Sequence, residues 1–359
     1  MIQLHPYIPI QVNSSLRDLK ITEEILYWYP WISDLKNKNT WLALAQFWKP
    51  NGVFPDMPLP GYEYYIVSGD SLMFGLAEKI SQYTGGKVIQ LSGPLFNSDL
   101  TTNLVNYVPY TNDHRRLARI PARWTIQKDI KYKVSALTNR VTQSKAIIFS
   151  ALISLFNEQD FVGSLNHAHN ELKNVHNWAM SGNTVCDYYT TNFIDNWLDK
   201  KITLPNDDRT EGSYNNPAYQ NSALNFTQES YHYSYMVRDG IHCIEPGPFL
   251  TEKTWKCLLS KTAFIPVGQM DSYKWLQQMG MKFDYGPMDL SFDQDSRNLT
   301  RLEKIVNLIK SLNQWTAHEL FEMTRDSCEY NYEHVLDRNF WENCEKYNQS
   351  THKLLSKLC

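Results

Sequence analysis

Residues 249–268 have the pattern of a turn, a helix start and a buried strand in immediate succession, and this order constrains the fold more than any other part of the chain. A glycine and a proline precede the segment, and Thr251 is a residue type that caps helices. Apolar residues at helical spacing follow, which puts Glu252 and Lys253 in the first turn. The apolar run at residues 263–267 then predicts a short buried strand. Because a helix N-terminus favours an anion and Lys253 adds a full charge, the segment predicts a phosphate site.

Further segments extend this pattern through the second half of the chain. Residues 131–153 have the pattern of a strand, a basic turn and an apolar helix, and residues 225–230 contain a Phe-x-x-Glu-Ser motif. With residues 249–268, 272–286 and 289–312, they resemble the nucleotide-sugar domain of fucosyltransferase-like glycosyltransferases, including bacteriophage members of that group. The resemblance is strongest at residues 251–253, and the first 128 residues do not share it.

Strands alternate with helices along both halves of the chain. Residues 64–67 and 88–91 are predicted strands in the first half, after a helix predicted at residues 40–48. A second unit begins with a strand at residues 131–136 and a helix from Ser144 that is apolar nearly all round, which is typical of a buried helix. Such alternation predicts an α/β fold with parallel, Rossmann-like sheets.

Two Rossmann-like units and a closing helical tail form the architecture called GT-B, in which two domains face a central cleft that holds the ligand. We therefore predict an N-terminal acceptor-binding domain at residues 1–128 and a C-terminal nucleotide-sugar-binding domain at residues 129–312. The polar helical tail, residues 313–359, is predicted to pack back on the N-terminal domain.

The predicted donor site depends on cations and helix ends. Neither G-x-G-x-x-G nor G-x-x-x-x-G-K-[ST] occurs, which argues against dinucleotide oxidoreductases and P-loop enzymes. A nucleotide sugar releases a diphosphate, whose charge Arg140, Lys145 and Lys253 are placed to neutralise without a metal. The resemblance implies that Glu252 accepts hydrogen bonds from ribose hydroxyls and Glu229 from the sugar or nucleotide. The predicted co-substrate is a UDP- or GDP-linked sugar, with no metal and no other cofactor.

Asp70 is the first candidate for a catalytic base. It follows the predicted strand at residues 64–67, where a carboxylate can deprotonate an acceptor hydroxyl, although a turn-stabilising aspartate has the same appearance. Glu63 and Asp113 are the next candidates. The resemblance suggests direct transfer with inversion at the anomeric carbon.

A basic segment bears on the acceptor, because the net charge of −3 and the pI near 6.4 indicate no global attraction to nucleic acid. Residues 113–133 hold seven basic and two acidic residues, a pattern that fits either a phosphate-binding stripe or a solvated face with ion pairs. We favour a hydroxymethylated base in phage DNA as the acceptor. Phage proteins that resemble the second half of the chain include candidates for the glycosylation of such bases. A glycan or small molecule is the alternative. The candidate DNA-binding residues are Arg115, Arg116, Arg119 and Arg123.

A competing interpretation is a GDSL-type esterase. Gly69-Asp70-Ser71-Leu72 after a strand is similar to the nucleophile block of that family, and Asp239 and His242 have its Asp-x-x-His spacing. The Gly-x-Asn-Asp block that supplies the family's oxyanion hole is missing from the sequence. We therefore rank the esterase below the transferase.

The remaining sequence features concern the compartment. The six cysteines have no zinc-like or Cys-x-x-Cys spacing, and we find neither a signal peptide nor an apolar run of about 20 residues. These features predict a reduced, cytoplasmic protein, in the host cytoplasm if the chain is viral, with no membrane partner. The oligomeric state stays open.

Overall fold

A computed structural model of the chain describes most of residues 128–337 and five strands before them. The described ranges are 128–138, 141–166, 181–204, 217–229, 235–238, 241–244 and 250–337, with His232 and Pro248. Toward the N-terminus they are 2–4, 40–44, 64–69, 87–92 and 104–107.

The chain divides into two compact units. The first comprises residues 1–115, 234–247 and 341–359, and the second comprises residues 116–233 and 248–340. Neither unit is continuous in sequence, unlike the predicted domains at residues 1–128 and 129–312.

The first unit contains a parallel sheet whose five described strands follow chain order. They are β1 (Ile2–Leu4), β2 (Thr40–Leu44), β3 (Tyr64–Gly69), β4 (Lys87–Ser92) and β5 (Leu104–Tyr107). The strands predicted at residues 64–67 and 88–91 are confirmed. The helix predicted at residues 40–48 is wrong over residues 40–44, because this segment pairs with a strand on each side. Two more strands, β9 (Tyr235–Arg238) and β10 (Ile241–Ile244), form an antiparallel pair.

The second unit is built on a four-stranded parallel sheet. Its strands are β6 (Tyr132–Thr138), β7 (Phe161–Leu165), β8 (Ser222–Gln228) and β11 (Ala263–Val267), in the spatial order β11-β8-β6-β7. The chain therefore proceeds from β6 outward to β7, and then continues on the other side of β6 with β8 and β11. In open parallel sheets, the point where the strand order reverses leaves a crevice at the carboxyl ends of the strands, where ligands bind. Here that point lies between β6 and β8.

Seven α-helices occur among the described residues, all of them in the second unit. They are α1 (Gln143–Leu155), α2 (Thr184–Trp197), α3 (Pro217–Gln220), α4 (Glu252–Leu259), α5 (Ser272–Gln278), α6 (Asn298–Ser311) and α7 (Ala317–Leu336). The prediction of a buried helix from Ser144 is confirmed, since Ile147, Ile148 and Phe149 in α1 have no exposed surface. Helix α1 packs against α2 and α6.

Helix α7 contacts β6, β8 and β11 of the four-stranded sheet and also contacts α4. Leu320 and Val335 are fully buried in it. Burial of these apolar side chains explains why residues 317–336 of the predicted tail, residues 313–359, pack on the second unit. Residues 341–359 of that tail belong to the first unit.

Candidate functional site

Glu229 lies directly after β8 and holds the start of α4. The residue is 1% exposed, and its carboxylate accepts hydrogen bonds from the Thr251 backbone N–H (3.2 Å), the Thr251 hydroxyl (2.5 Å) and the Thr254 hydroxyl (2.6 Å). Thr251 is the N-cap of α4, and Thr254 is in its first turn. The positive end of the helix and these donors offset the cost of burying a carboxylate. The structure thus places Glu229 as a residue that fixes the direction of α4.

Lys253 joins the same network through a shared hydroxyl. Its Nζ donates to Thr251 Oγ1 at 2.9 Å, and that hydroxyl in turn donates to Glu229. The lysine charge is therefore held at the start of α4. The sequence predicted an anion from outside at this helix end, where the protein already supplies the Glu229 carboxylate. Glu252 is the first residue of α4, and its side chain lies outside the described part of the structure.

A second contact joins the two strands that flank the reversal point. Thr138 ends β6 and Gln228 ends β8, and the Thr138 hydroxyl donates to Gln228 Oε1 at 2.8 Å. Both side chains are buried. The amide nitrogen of Gln228 is also buried and has no hydrogen-bond partner among the described residues.

Helix α1 begins near the same edge, five residues after β6 ends. Its N-cap Thr142 gives no side-chain capping hydrogen bond, and its first turn contains no acidic residue. Lys145, in that turn, is buried. A 13-residue helix with such a start favours an anion near its first N–H groups. Arg140, which precedes the helix, lies outside the described residues.

Arg301 in α6 connects the segments that leave β8 and β11. Its guanidinium, 1% exposed, donates to the carbonyl oxygens of Gly268 (3.2 Å), Asp295 (2.7 Å) and His232, and to Asn298 Oδ1 (2.8 Å). Burial and the nearby Arg301 charge lower the pKa of His232 to about 3, so its imidazole is neutral. The sequence analysis missed Arg301. The sequence contains one indication of its position: Arg301 is four residues before Ile305, so the two lie on the same face of a helix. Ile305 is fully buried in the structure.

The described part of the basic segment is engaged within the protein. Lys128 donates to the Tyr219 carbonyl and to Thr262 Oγ1, both at 2.5 Å, and burial lowers its pKa to about 8. Lys131 pairs with Asp129 at 2.8 Å, and Lys133 pairs with Asp160 at 3.4 Å. The structure does not describe the four candidate DNA-binding residues, Arg115, Arg116, Arg119 and Arg123.

The candidates in the first unit are only partly described. Strand β3 ends at Gly69, and Asp70 follows it immediately. Asp70 and the alternative bases Glu63 and Asp113 all lie outside the described residues. For the esterase interpretation, His242 lies in β10, whereas Ser71 and Asp239 fall outside the description. The structure therefore brings together Glu229 and Lys253 but leaves the predicted base untested.

Three cysteines lie in the described part of the chain, and all are free thiols in buried positions: Cys186, Cys257 and Cys328. In that same part, no group of three His, Cys, Asp or Glu side chains could hold a metal ion. Among the described helices, none has the length and apolar character needed to cross a bilayer.

Protein-family models, curated proteins and solved structures yield no match to this chain. The chemistry of the carboxyl edge of the four-stranded sheet is therefore inferred from its own residues.

Proposed function

We propose that the protein is a glycosyltransferase that binds a nucleotide sugar at the carboxyl ends of β6 and β8. The convergence of three segments at this edge carries the proposal. Residues 131–153, 225–230 and 249–268 are separated in sequence, yet the Thr138–Gln228 bond joins the first two and the Glu229–Thr251 bond joins the last two. These are the segments that resemble donor-binding elements of fucosyltransferase-like enzymes.

The charges at this edge suit a diphosphate leaving group. The start of α1 favours an anion, Lys145 is in its first turn, and Lys253 is held at the start of α4. In our proposal these groups, with Arg140, take up the charge that develops when the sugar leaves its diphosphate, without a metal. Glu229 keeps α4 and Lys253 in position, and Glu252 accepts hydrogen bonds from the ribose.

The proposed reaction is direct transfer to an acceptor hydroxyl. Asp70, immediately after β3, removes the acceptor proton while the oxygen attacks the anomeric carbon and the nucleoside diphosphate leaves. In this proposal the two units form the GT-B arrangement, with the first unit binding the acceptor. Full turnover by an Asp70→Asn variant would move the role of base to another residue.

The proposed acceptor is a hydroxymethylated base in DNA, which places the enzyme in the cytoplasm of the cell that contains that DNA. The alternative acceptor is a glycan or small molecule. An esterase would instead hydrolyse p-nitrophenyl esters and lose that activity on Ser71→Ala substitution, whereas we expect no ester hydrolysis.

Titration calorimetry with UDP and GDP tests the donor site. We expect the wild-type protein to bind at least one of them, and Lys253→Ala to weaken binding by about 1–3 kcal/mol, because a charge-assisted contact is lost. Lys256→Ala is the matched control, since it removes the same charge from the last turn of the same helix. Equal affinity in wild type and Lys253→Ala, or equal losses in both variants, would contradict the assignment of Lys253.

A further inference from the structure

Gln228 has a buried amide group that the protein itself satisfies only in part. The residue is 1% exposed, its Oε1 accepts the Thr138 hydroxyl at 2.8 Å, and its buried Nε2 has no partner among the described residues. Buried polar groups in folded proteins are nearly always hydrogen-bonded, so an unpaired donor requires an explanation. Asn331 in α7 is the ordinary case: it is 2% exposed, with its Nδ2 bonded to the Lys282 carbonyl and its Oδ1 bonded to the Lys282 N–H.

The location of this amide points to a ligand. Gln228 and Thr138 are the last residues of two adjacent parallel strands, and these strands flank the point where the strand order reverses. Ligands of open parallel sheets bind at this point. Because the Thr138 hydroxyl holds Oε1, the direction of Nε2 is fixed before any ligand arrives, which lowers the ordering cost of binding.

We infer that Gln228 Nε2 donates a hydrogen bond to an oxygen of the bound nucleotide sugar, and that Thr138 is the positioning residue for this contact. The inference rests on the proposed function, and it adds a determinant of donor affinity at an unspecified position of the Phe-x-x-Glu-Ser motif. Binding of an oxygen of the nucleotide sugar gives Gln228 Nε2 the hydrogen-bond partner that it lacks among the described residues.

Calorimetry with UDP and GDP, combined with thermal unfolding of the ligand-free protein, tests the inference. Gln228→Met keeps the size of the side chain and removes the donor, and we expect affinity to fall roughly five- to ten-fold. The unfolding midpoint should fall less than it does for a buried amide with both atoms bonded, because a buried unpaired donor is removed and only the Thr138 hydroxyl loses its partner. Gln228→Glu should lose at least as much affinity, since a carboxylate oxygen would then face the ligand oxygen.

A double-mutant cycle tests the role of Thr138. Thr138→Val should weaken nucleotide binding in the wild-type background and have no further effect in the Gln228→Met background, because its only expected contribution to binding is to orient the amide. Additive losses from the two substitutions would contradict this positioning role.

Asn331→Leu serves as the matched control for a buried amide with both atoms bonded. It should lower the unfolding midpoint and leave nucleotide affinity unchanged. If Gln228→Met behaves in the same way, an internal water satisfies Nε2 and the inference is overturned. If the wild-type protein binds neither UDP nor GDP, the proposed function fails, and this inference fails with it.

Discussion

Glu229 is a buried ionisable residue and Lys128 a partly buried one, and each has more than one hydrogen-bond partner. Three donors and the start of α4 surround the Glu229 carboxylate. Burial dominates at Lys128, where the two acceptors at 2.5 Å do not offset the loss of hydration and the pKa falls to about 8. The ionisation of Lys128 should therefore be visible in the stability of the protein.

The stability contributed by Lys128 should rise between pH 8 and pH 10.5. In this range the unfolded chain keeps the lysine proton and the folded protein releases it, so the unfolded state binds more protons and stability increases with pH. The contribution is lost as the pH falls through about 8. We expect the free energy of unfolding of the wild type, relative to Lys128→Met, to increase across this range by up to about 3 kcal/mol.

Urea denaturation of the two proteins at several pH values measures this difference. The comparison with Lys128→Met is necessary because burial raises the pKa of Cys257, Cys328 and Tyr273, which lowers stability at alkaline pH in both proteins. Curves of stability against pH that run parallel for wild type and variant would show that Lys128 is charged in the folded state to the same extent as in the unfolded chain.

At the scale of elements, the sequence predicted best where a local pattern was sufficient. The strand at residues 263–267 was predicted with the bounds of β11, and the helix predicted from Ser144 begins at Gln143. The helix predicted at residues 40–48 was wrong over residues 40–44, because the periodicity of a short apolar run does not distinguish a helix from a strand. Pairing of β2 with both β1 and β3 decides its structure, and these partners are distant in sequence.

The candidate site shows the same division. The motifs identified Glu229 and Lys253, and the structure joins them through Thr251. The pairing of Thr138 with Gln228 could not be predicted, because the two residues are 90 positions apart and nothing in either local sequence marks the other. The role of Glu229 also changed, since its partners are known only once α4 is packed against the end of β8.

Arg301 should contribute more to stability than any exposed arginine, because it links elements that are otherwise separate. Arg301→Met leaves buried carbonyl groups of Gly268 and Asp295 without their donor, and we expect a loss of about 3–5 kcal/mol in the free energy of unfolding. Arg301→Lys keeps the charge but not the planar fork, so an intermediate loss is expected.

Urea unfolding measures these losses, and Arg297→Met provides the control. The Arg297 side chain is 74% exposed and pairs with the Asp295 carboxylate, an interaction that should contribute less than about 1 kcal/mol. If Arg301→Met and Arg297→Met have similar effects, the guanidinium of Arg301 does not hold the segments after β8 and β11 in place.

For the whole molecule, strand order distinguishes the two units. The five described strands of the first unit follow chain order without a reversal, whereas the four-stranded sheet of the second unit reverses between β6 and β8. A ligand site can therefore be assigned from topology only in the second unit. The proposed acceptor site in the first unit rests on Asp70, whereas the basic segment belongs mostly to the second unit, which begins at residue 116.

Salt dependence provides the test of DNA as acceptor. Three lysines of the basic segment already have partners within the protein: Lys128, Lys131 and Lys133. We therefore expect the four arginines of the segment to make its contacts with DNA phosphates. Each neutralised phosphate contributes a slope of about −0.9 to the logarithm of the binding constant against the logarithm of salt concentration. For duplex DNA containing hydroxymethylated bases, we therefore expect a slope no steeper than about −4.

Charge reversal separates the two sets of basic residues. Reversal of Arg115, Arg116 and Arg119 to glutamate should weaken DNA binding and flatten the slope by about 3, one unit for each lost phosphate contact. Lys131→Glu and Lys133→Glu are the controls, and the slope should stay close to that of the wild type. Binding that does not depend on salt, or sugar transfer to an oligosaccharide but not to the hydroxymethylated duplex, would assign the acceptor to the glycan or small-molecule class, because phosphate contacts through this segment cannot act without counterion release.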